Sequence, residues 1–367
     1  MRFENIYQQE PNFPYRYIAP SSLEKFLCEN LSDYVKQIGT STLGVPIYML
    51  RVGRGNKKVL AWSQMHGNES NATHALLDML YSLKDSPLYD NLFAEITLDF
   101  IVMLNPDGSA LWTRRNAVEI DLNRDFIKRS SKELPLLVEL ALSGTYDFGL
   151  NLHEQRTIFS TDGMHPATLS FLAPSQDSSR SITPVRKRAM KIISDTAHHL
   201  RELIPENIAR YSDEYYPTST GDNFMRLGLP TILFEGGHYE KDYQRQQTRK
   251  YYTIALYYCL VAIGKYQGDT LGYEQYFALP ENRESHYDII YRNVKLNTDF
   301  PCVLDIAVQY REEKKPDSLD IEFIPIVVEV GDCGKKKGWE ELDCTDKRFV
   351  SQSLYPKLDA PVNFQIL

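Results

Sequence analysis

The chain has 367 residues, 43% of them hydrophobic and 25% charged, with a formal net charge of −8. That composition is ordinary for a globular protein and long enough to bury a large core without disulfide staples. The acidic balance argues against nucleic acid or an anionic membrane as the main partner, and no apolar run approaches the ~20 residues that a spanning helix needs.

The opening MRFENIYQQE lacks the basic-then-apolar pattern of a secretory leader. The five cysteines, Cys28, Cys259, Cys302, Cys333 and Cys344, are odd in number and scattered, without zinc-ribbon or disulfide spacing. Together these features predict a cytoplasmic protein with unbridged thiols. In chain order, a helix is expected over Leu23–Ile38, with Ser21 or Ser22 as its N-cap. Pro46–Val52 and Lys58–Met65 read as strands. Asn71–Leu83 reads as a helix, with Ala72, Ala75, Leu76, Met79 and Leu80 on one face. Ile96–Leu104 is apolar enough for a central strand. Leu134–Leu142 reads as helix and Tyr146–Leu152 as strand. Pro184–Leu203 is a long helix, Thr231–Glu235 a short buried strand, and Thr248–Tyr266 a helix. This alternation predicts an α/β fold with a central sheet covered by helices on both faces. Near residue 280 the pattern changes. Tyr287–Leu296, Cys302–Arg311 and Ser318–Val330 read as strands separated by Asn, Asp, Pro and Lys turns. The expected organisation is a catalytic domain over 1–270 and a small β-rich domain over 280–367.

The chemistry gathers at strand ends. The strand Lys58–Met65 runs into His66-Gly67-Asn68-Glu69, where a His and a Glu three residues apart on a tight turn can face one metal ion. The carboxyl edge of a sheet is where α/β folds build sites. His153 ends another predicted strand and supplies a third donor. Two His and one carboxylate leave a position open, which is the pattern of catalytic rather than structural zinc. His74, His198 and His199 fall on predicted helices and His165 and His286 on loops, so they read as surface or packing. His238, just after the Thr231–Glu235 strand, is placed to line the rim. Glu235 closes an apolar strand before Gly236-Gly237, where burial would raise its pKa and suit it to general-base work. Between these lies a stretch with Arg114, Arg115, Asn116, Asp121, Asn123 and Arg124, suited to polarising a carbonyl and clamping a carboxylate.

His66-Gly67-Asn68-Glu69, then Asn105-Pro106-Asp107-Gly108, then Asp121-Leu122-Asn123-Arg124, then a strand-end His and a strand-end Glu resemble, in that order, the carboxypeptidase A-like zinc metallocarboxypeptidases. The resemblance covers about residues 40–265. It implies a mixed, mostly parallel sheet and one zinc ion per chain held by His66, Glu69 and His153. It also implies Glu235 as base and Arg114 as oxyanion stabiliser, with Arg115 as the alternative. Asn123 and Arg124 would bind a terminal carboxylate, and Asp121 would orient His66. Tyr216 matches a mobile tyrosine, with Tyr215 and Tyr211 as rivals. Asp222 falls near the position that sets side-chain preference, where it would accept a basic or amine-bearing group. A turn-forming Gly-Asp-Asn is the competing account. Glu154, after His153, departs from the family pattern. It either places a negative charge near the substrate path or turns away to pair with Arg156. The implied substrate is a small peptide cleaved beside a free carboxylate. The murein peptide amidases and the succinylglutamate desuccinylase/aspartoacylase branch, which cleaves N-acyl amino acids, are similar groups. A non-catalytic binding module is the reading from outside enzymology.

Overall fold

The structure is a computed structural model that describes residues 1–143, 146–296 and 301–367. The first elements are α1 (Pro20–Asn30), β1 (Val35–Thr40), β2 (Pro46–Gly53), β3 (Lys57–Trp62), α2 (Asn71–Leu83) and α3 (Pro87–Phe93). They are followed by β4 (Ile96–Val102), α4 (Pro106–Leu111), α5 (Leu134–Leu142), β5 (Phe148–Glu154), β6 (Phe159–Ser160) and β7 (Leu169–Leu172). Then come α6 (Pro184–Leu200), β8 (Ile208–Arg210), α7 (Thr220–Arg226), β9 (Thr231–Gly236) and α8 (Gln246–Lys265). The remainder is all β: β10 (Arg283–Glu284), β11 (His286–Lys295), β12 (Val303–Lys314), β13 (Ile321–Gly331), β14 (Lys337–Asp343), β15 (Phe349–Val350) and β16 (Gln365–Ile366).

The main sheet has eight strands in the order β1-β2-β4-β3-β5-β9-β7-β8. Its centre, β4-β3-β5-β9, is parallel throughout. Alternation along the strands divides two cores. Val59 and Ala61 of β3 join Leu98, Phe100, Phe148 and Leu150 against α2, α6 and α8, while Leu60 and Trp62 join Leu134, Leu137, Val138 and Phe224 of α5 and α7. This is the α/β fold with both faces covered that the alternation of elements implied. Between α2 and α8, Asp78 and Arg249 form a fully buried pair, the guanidinium donating through Nε and Nη2 to both carboxylate oxygens.

Two of the expected boundaries move for physical reasons. The first helix stops at Asn30, and Val35–Thr40 pairs with β2 as an antiparallel edge strand rather than prolonging the helix. Its start is set by Pro20 at the first helical position, with Ala19 as an N-cap that makes no side-chain hydrogen bond, not by Ser21 or Ser22. The strand β3 ends at Trp62, so His66 stands at the end of a short loop, beyond Gln64 in a left-handed conformation (φ 46°). Conversely β5 runs on to Glu154, which keeps His153 inside the strand.

Two glycines of the sequence motifs meet. A Cβ on Gly67 would lie 2.0 Å from the carbonyl carbon of Gly108, and one on Gly108 would lie 2.5 Å from the Arg115 carbonyl oxygen. Gly67 is demanded by the approach of α4, not only by a tight turn, whereas Gly108 is demanded by the Arg115 carbonyl and the Asn105 amide packed against it. Asn105 secures the second loop by accepting from the Gly108 N–H at 2.9 Å as the N-cap of α4, with Pro106 at the first helical position.

The C-terminal region forms a four-stranded sheet ordered β13-β12-β11-β14, around Ile289, Val294, Ile306, Val308, Val327 and Phe349. It is seated on the main unit. β10 pairs with β6, the Trp339 indole donates to the Thr157 carbonyl at 2.8 Å, and the His286 N–H to the Ile158 carbonyl. Among the described residues no cysteine pair is bridged, and no helix is long and apolar enough to cross a membrane.

Candidate metal centre and cleft

Three loops and strand ends deliver the expected donors to one point. In the parallel register His153 of β5 lies opposite Glu235 of β9, while His66 and Glu69 lie between β3 and α2. The ligand atoms of His66, Glu69 and His153 all fall within 4.8 Å of one another, and the three residues are buried. One Glu69 carboxylate oxygen is 2.8 Å from His66 Nδ1 and the other 2.9 Å from His153 Nδ1, while the two Nδ1 atoms are 3.2 Å apart. Two imidazole lone pairs converging on a carboxylate, out of water, are reconciled by a cation between them. Nitrogen and carboxylate donors in this number suit zinc, so the residues fit the ion that the resemblance implies.

The electrostatics follow the same geometry. Burial alone would raise the Glu69 carboxyl, but His66 and His153 hold it well below its ordinary range. Burial lowers His153, with Glu69 opposing. For His66 burial is outweighed by two carboxylates, Glu69 and Asp121, so its pKa is raised. The two histidines thus shift in opposite directions beside one Glu69; His66 has Asp121 as a second carboxylate, and His153 is lowered further by the charges of His66 and Arg114. Asp121 Oδ1 lies 3.2 Å from His66 Nε2 and its Oδ2 accepts from Arg114 Nε at 2.9 Å. Asp121 therefore fixes the outer nitrogen of His66, which leaves Nδ1 for the centre. Arg114 reaches the same point, with Nη1 3.2 Å from His66 Nδ1 and 3.7 Å from a Glu69 oxygen. Arg115 instead donates to the Glu119 carbonyl and is turned away. Glu235 has a buried carboxylate oxygen with no hydrogen-bond partner. Burial, then the charge of Glu69, pushes its carboxyl well above the ordinary range.

His66, Glu69, Arg114, His153 and Glu235 line one cavity of about 640 Å³, the size of a site for a small ligand. Asn123, Arg124, Tyr216 and Asp222 lie in its wall as well. Asn123 Oδ1 accepts from the Thr220 N–H at 3.2 Å, leaving its amide N–H groups as donors. The Arg124 guanidinium stands 5.1 Å from the centre of the Tyr216 ring. Asp222 accepts from the Tyr216 N–H at 3.1 Å, and burial raises its pKa from 3.8 to about 6. It stands in the first turn of α7, so the turn reading of Gly-Asp-Asn gives way to a helix start. Of the three tyrosines, Tyr216 is exposed and bonds Glu214. Tyr211 is more enclosed, its phenol raised by burial and then by the charge of Glu235. Tyr215 does not line the cavity.

Other expectations are corrected. Glu154 does not pair with Arg156, whose partner is Glu284 at 3.2 Å. Glu154 is buried, accepts from the Asn71 N–H at 2.6 Å, and lies 3.5 Å from Arg16 and 3.4 Å from Arg245. It does line the cavity, where burial raises its pKa against the opposing charges of Arg245 and Arg16. His238 is not in the cavity wall but buried against Tyr243 and Trp339. His286 begins β11 instead of lying on a loop, and stacks on Trp339 at 3.7 Å. Sequence reasoning missed Arg16, Tyr243, Arg245, Gln309, Tyr310, Glu312 and Phe323, which also line the cavity. They come from the N-terminal segment, the loop before α8 and the C-terminal sheet, and no local pattern marks them.

Comparison with known proteins bears on the same elements. Residues 27–144 match the family model described as zinc carboxypeptidase. That span holds His66, Glu69, Arg114 and Asn123, but neither His153 nor Glu235. A curated carboxypeptidase of Arabidopsis thaliana, SOL1, is 28% identical over 126 residues, covering 30% of this chain and 26% of that protein. The chain thus matches about a quarter of that relative's length. Among solved structures, a metallo-carboxypeptidase from Burkholderia cenocepacia aligns with a TM-score of 0.55 at 16% identity, over 68% of this chain and 70% of the other. Thrombin activatable fibrinolysis inhibitor gives 0.54 at 15% identity, over 68% and 75%. Carboxypeptidase A from Helicoverpa armigera gives 0.53 at 14%, over 68% and 73%. At such identities the likeness is one of fold. The resemblance read from the sequence and the fold returned by these comparisons are the same, that of the zinc carboxypeptidases.

Proposed function

We propose that this chain, built on the zinc carboxypeptidase fold, hydrolyses an amide bond next to a free carboxylate in small peptides, as a metallocarboxypeptidase or peptide amidase. The observation that carries the reading is the convergence of His66 Nδ1, His153 Nδ1 and the Glu69 carboxylate beside a buried, unpartnered Glu235. His66, Glu69 and His153 would hold one zinc ion. Bound there, zinc lowers the pKa of a water toward neutrality and polarises a carbonyl.

The chain's own residues supply the remainder. Asn123 and Arg124 bind the substrate's terminal carboxylate, the guanidinium by charge and the amide by its N–H groups. Arg114, held by Asp121, faces the carbonyl oxygen where negative charge develops. Glu235, with its affinity for a proton raised by burial, takes one from the attacking water and returns it to the leaving amine. Asp222, at the wall beside Arg124, favours a substrate side chain that is basic or bears an amine.

A second reading, cleavage of N-acyl amino acids, is favoured by the C-terminal sheet, whose Gln309–Glu312 segment forms part of the cavity wall. The test is product release from short peptides and N-acyl amino acids by zinc-loaded wild type beside Glu235→Gln. Release of C-terminal residues by wild type, with a fall of about 10²–10⁴-fold in the variant, supports the first reading. Deacylation without peptide cleavage supports the second. No turnover with zinc bound would leave only a binding module.

A further inference from the structure

The cavity has two ends. Asn123, Arg124, Tyr216 and Asp222 bond to one another's neighbourhood around the start of α7. The other end is roofed by the C-terminal sheet, whose contacts run to residues following the third metal donor: Gln309 to Thr157, and Glu312 through Arg16 to Glu154. The donor set links the two groups: the Asn123 N–H donates to Asp121 at 3.0 Å, Asp121 holds His66, and on the other side the Glu154 N–H donates to Glu69 at 3.1 Å. A substrate whose carboxylate sits on Asn123 and Arg124 therefore runs, beyond the cleaved bond, under this roof.

The roof has a defined chemistry. Tyr243, Tyr310 and Phe323 form an aromatic trio, with centroids 4.9 Å apart for Tyr243–Tyr310, 5.8 Å for Tyr243–Phe323 and 6.2 Å for Tyr310–Phe323. All three line the cavity. The charges around the trio are already engaged, Arg16 with Glu312 at 2.8 Å, Arg311 with Glu313 at 2.7 Å, and Asp288 with Gln309 and the Tyr310 N–H, so a charged guest would lose its water among rings without gaining a free counter-ion. Gln309 adds a directed polar group. Its amide nitrogen donates to Thr157 Oγ1 at 3.0 Å and to Asp288 Oδ2 at 3.1 Å. With both N–H groups so engaged, the carbonyl oxygen is left as an acceptor. Behind it Asp288, fully buried, also accepts from the Tyr310 N–H at 2.7 Å.

We propose that Gln309, Tyr310, Tyr243 and Phe323 form the subsite for the residue on the amino side of the cleaved bond. It selects an apolar or aromatic side chain whose own amide N–H is read by Gln309, and Asp288 is the positioning residue behind it. This rests on the hydrolase reading above and names the acyl half of its substrate.

The zinc-loaded full chain is assayed on N-acetyl-Xaa dipeptides with one fixed C-terminal residue and Xaa as Phe, Leu, Gly, Asp or Lys. The expected result is a kcat/KM at least tenfold higher for Phe and Leu than for Gly, Asp and Lys, a ratio that Tyr310→Ala brings below threefold. Replacing N-acetyl-Phe by 3-phenylpropionyl, which lacks the N–H, costs wild type about tenfold and Gln309→Ala nothing. Because that comparison is internal to each variant, it is insensitive to partial unfolding. Asp288→Asn raises KM while kcat holds. Equal rates across Xaa, or equal cleavage of the acetyl-Phe and 3-phenylpropionyl substrates by wild type, would overturn the subsite. If nothing is cleaved, the hydrolase reading fails instead. Calorimetric binding of the same dipeptides then decides the subsite, with Phe over Gly supporting it and equal affinities refuting it.

Discussion

Replacing Asp222 with Asn should stabilise the chain at alkaline pH and progressively less as the pH falls. The carboxylate is 4% exposed, and burial raises its pKa from 3.8 to about 6. An acid whose folded pKa is raised favours folding while protonated. Its contribution is complete below the unfolded value of 3.8 and is lost as pH rises through about 6. A shift of about two units, at 1.36 kcal/mol each, sets the cost of keeping the charge buried at roughly 3 kcal/mol above pH 7. Arg124 and the water of the cleft make that an upper bound. Asn keeps an oxygen for the Tyr216 N–H, so the hydrogen bond survives while the charge goes. The linkage relation gives about half of the gain at pH 5. The assay is thermal unfolding of both proteins at pH 5 and pH 8, where each kcal/mol moves Tm by roughly 2 °C in a unit this large. A Tm difference that is the same at both pH values, or a variant less stable at pH 8, would refute the argument that desolvation of this carboxylate sets its pKa.

Further predictions concern the cleft and the core. Asp222→Asn should also reduce any preference for Lys or Arg at the substrate's C-terminus by about tenfold, and an unchanged ranking in competition assays would remove Asp222 from specificity. Arg114→Ala should lower kcat about 10²–10³-fold with little change in KM, as expected for a donor that acts on developing charge. A rise in KM alone would mean that it binds ground state. His153→Ala should abolish zinc retention, read by metal analysis after dialysis, whereas Glu235→Gln should retain one ion per chain. Loss of zinc from both would place Glu235 among the donors. Asp78→Ala leaves the Arg249 guanidinium buried and unpaired, which should cost about 3–5 kcal/mol by denaturant unfolding. Less than 1 kcal/mol would show that water reaches the pair. In the pH profile of kcat/KM, the acid limb should lie well above the ordinary carboxylate range of about 4.3, because activity needs Glu235 ionised and its pKa is raised.

The sequence was informative wherever the deciding physics is local. The alternation of apolar strands and amphipathic helices specified a covered sheet. Strand ends located His153 and Glu235, because a buried strand that finishes in a polar residue must aim it at something. Some boundaries shifted where tertiary pairing overrode pattern: residues 35–40 became an edge strand because β2 offered an unpaired side. The sequence presents Gly67 and Gly108 as two separate motif residues, yet the backbone of Gly108 is what leaves no room for a side chain at Gly67.

What only the tertiary structure decided is everything that depends on contact between distant segments. The family pattern and the local spacing name the donors, but not that two histidines on one carboxylate shift in opposite directions. From the sequence Glu154 was either a charge near the substrate path or a partner of Arg156. The structure sets Arg16, 138 positions away in the chain, and Arg245, 91 away, against it. The roof over the cleft rests on Asp288, Gln309 and Tyr310 in a sheet with no counterpart in the motifs, meeting Thr157 and Tyr243 of the main unit. Periodicity records which face of an element is buried. It carries no record of which other element lies against that face, because non-local pairing is selected by the free energy of the whole fold and leaves only single, unpatterned residues behind.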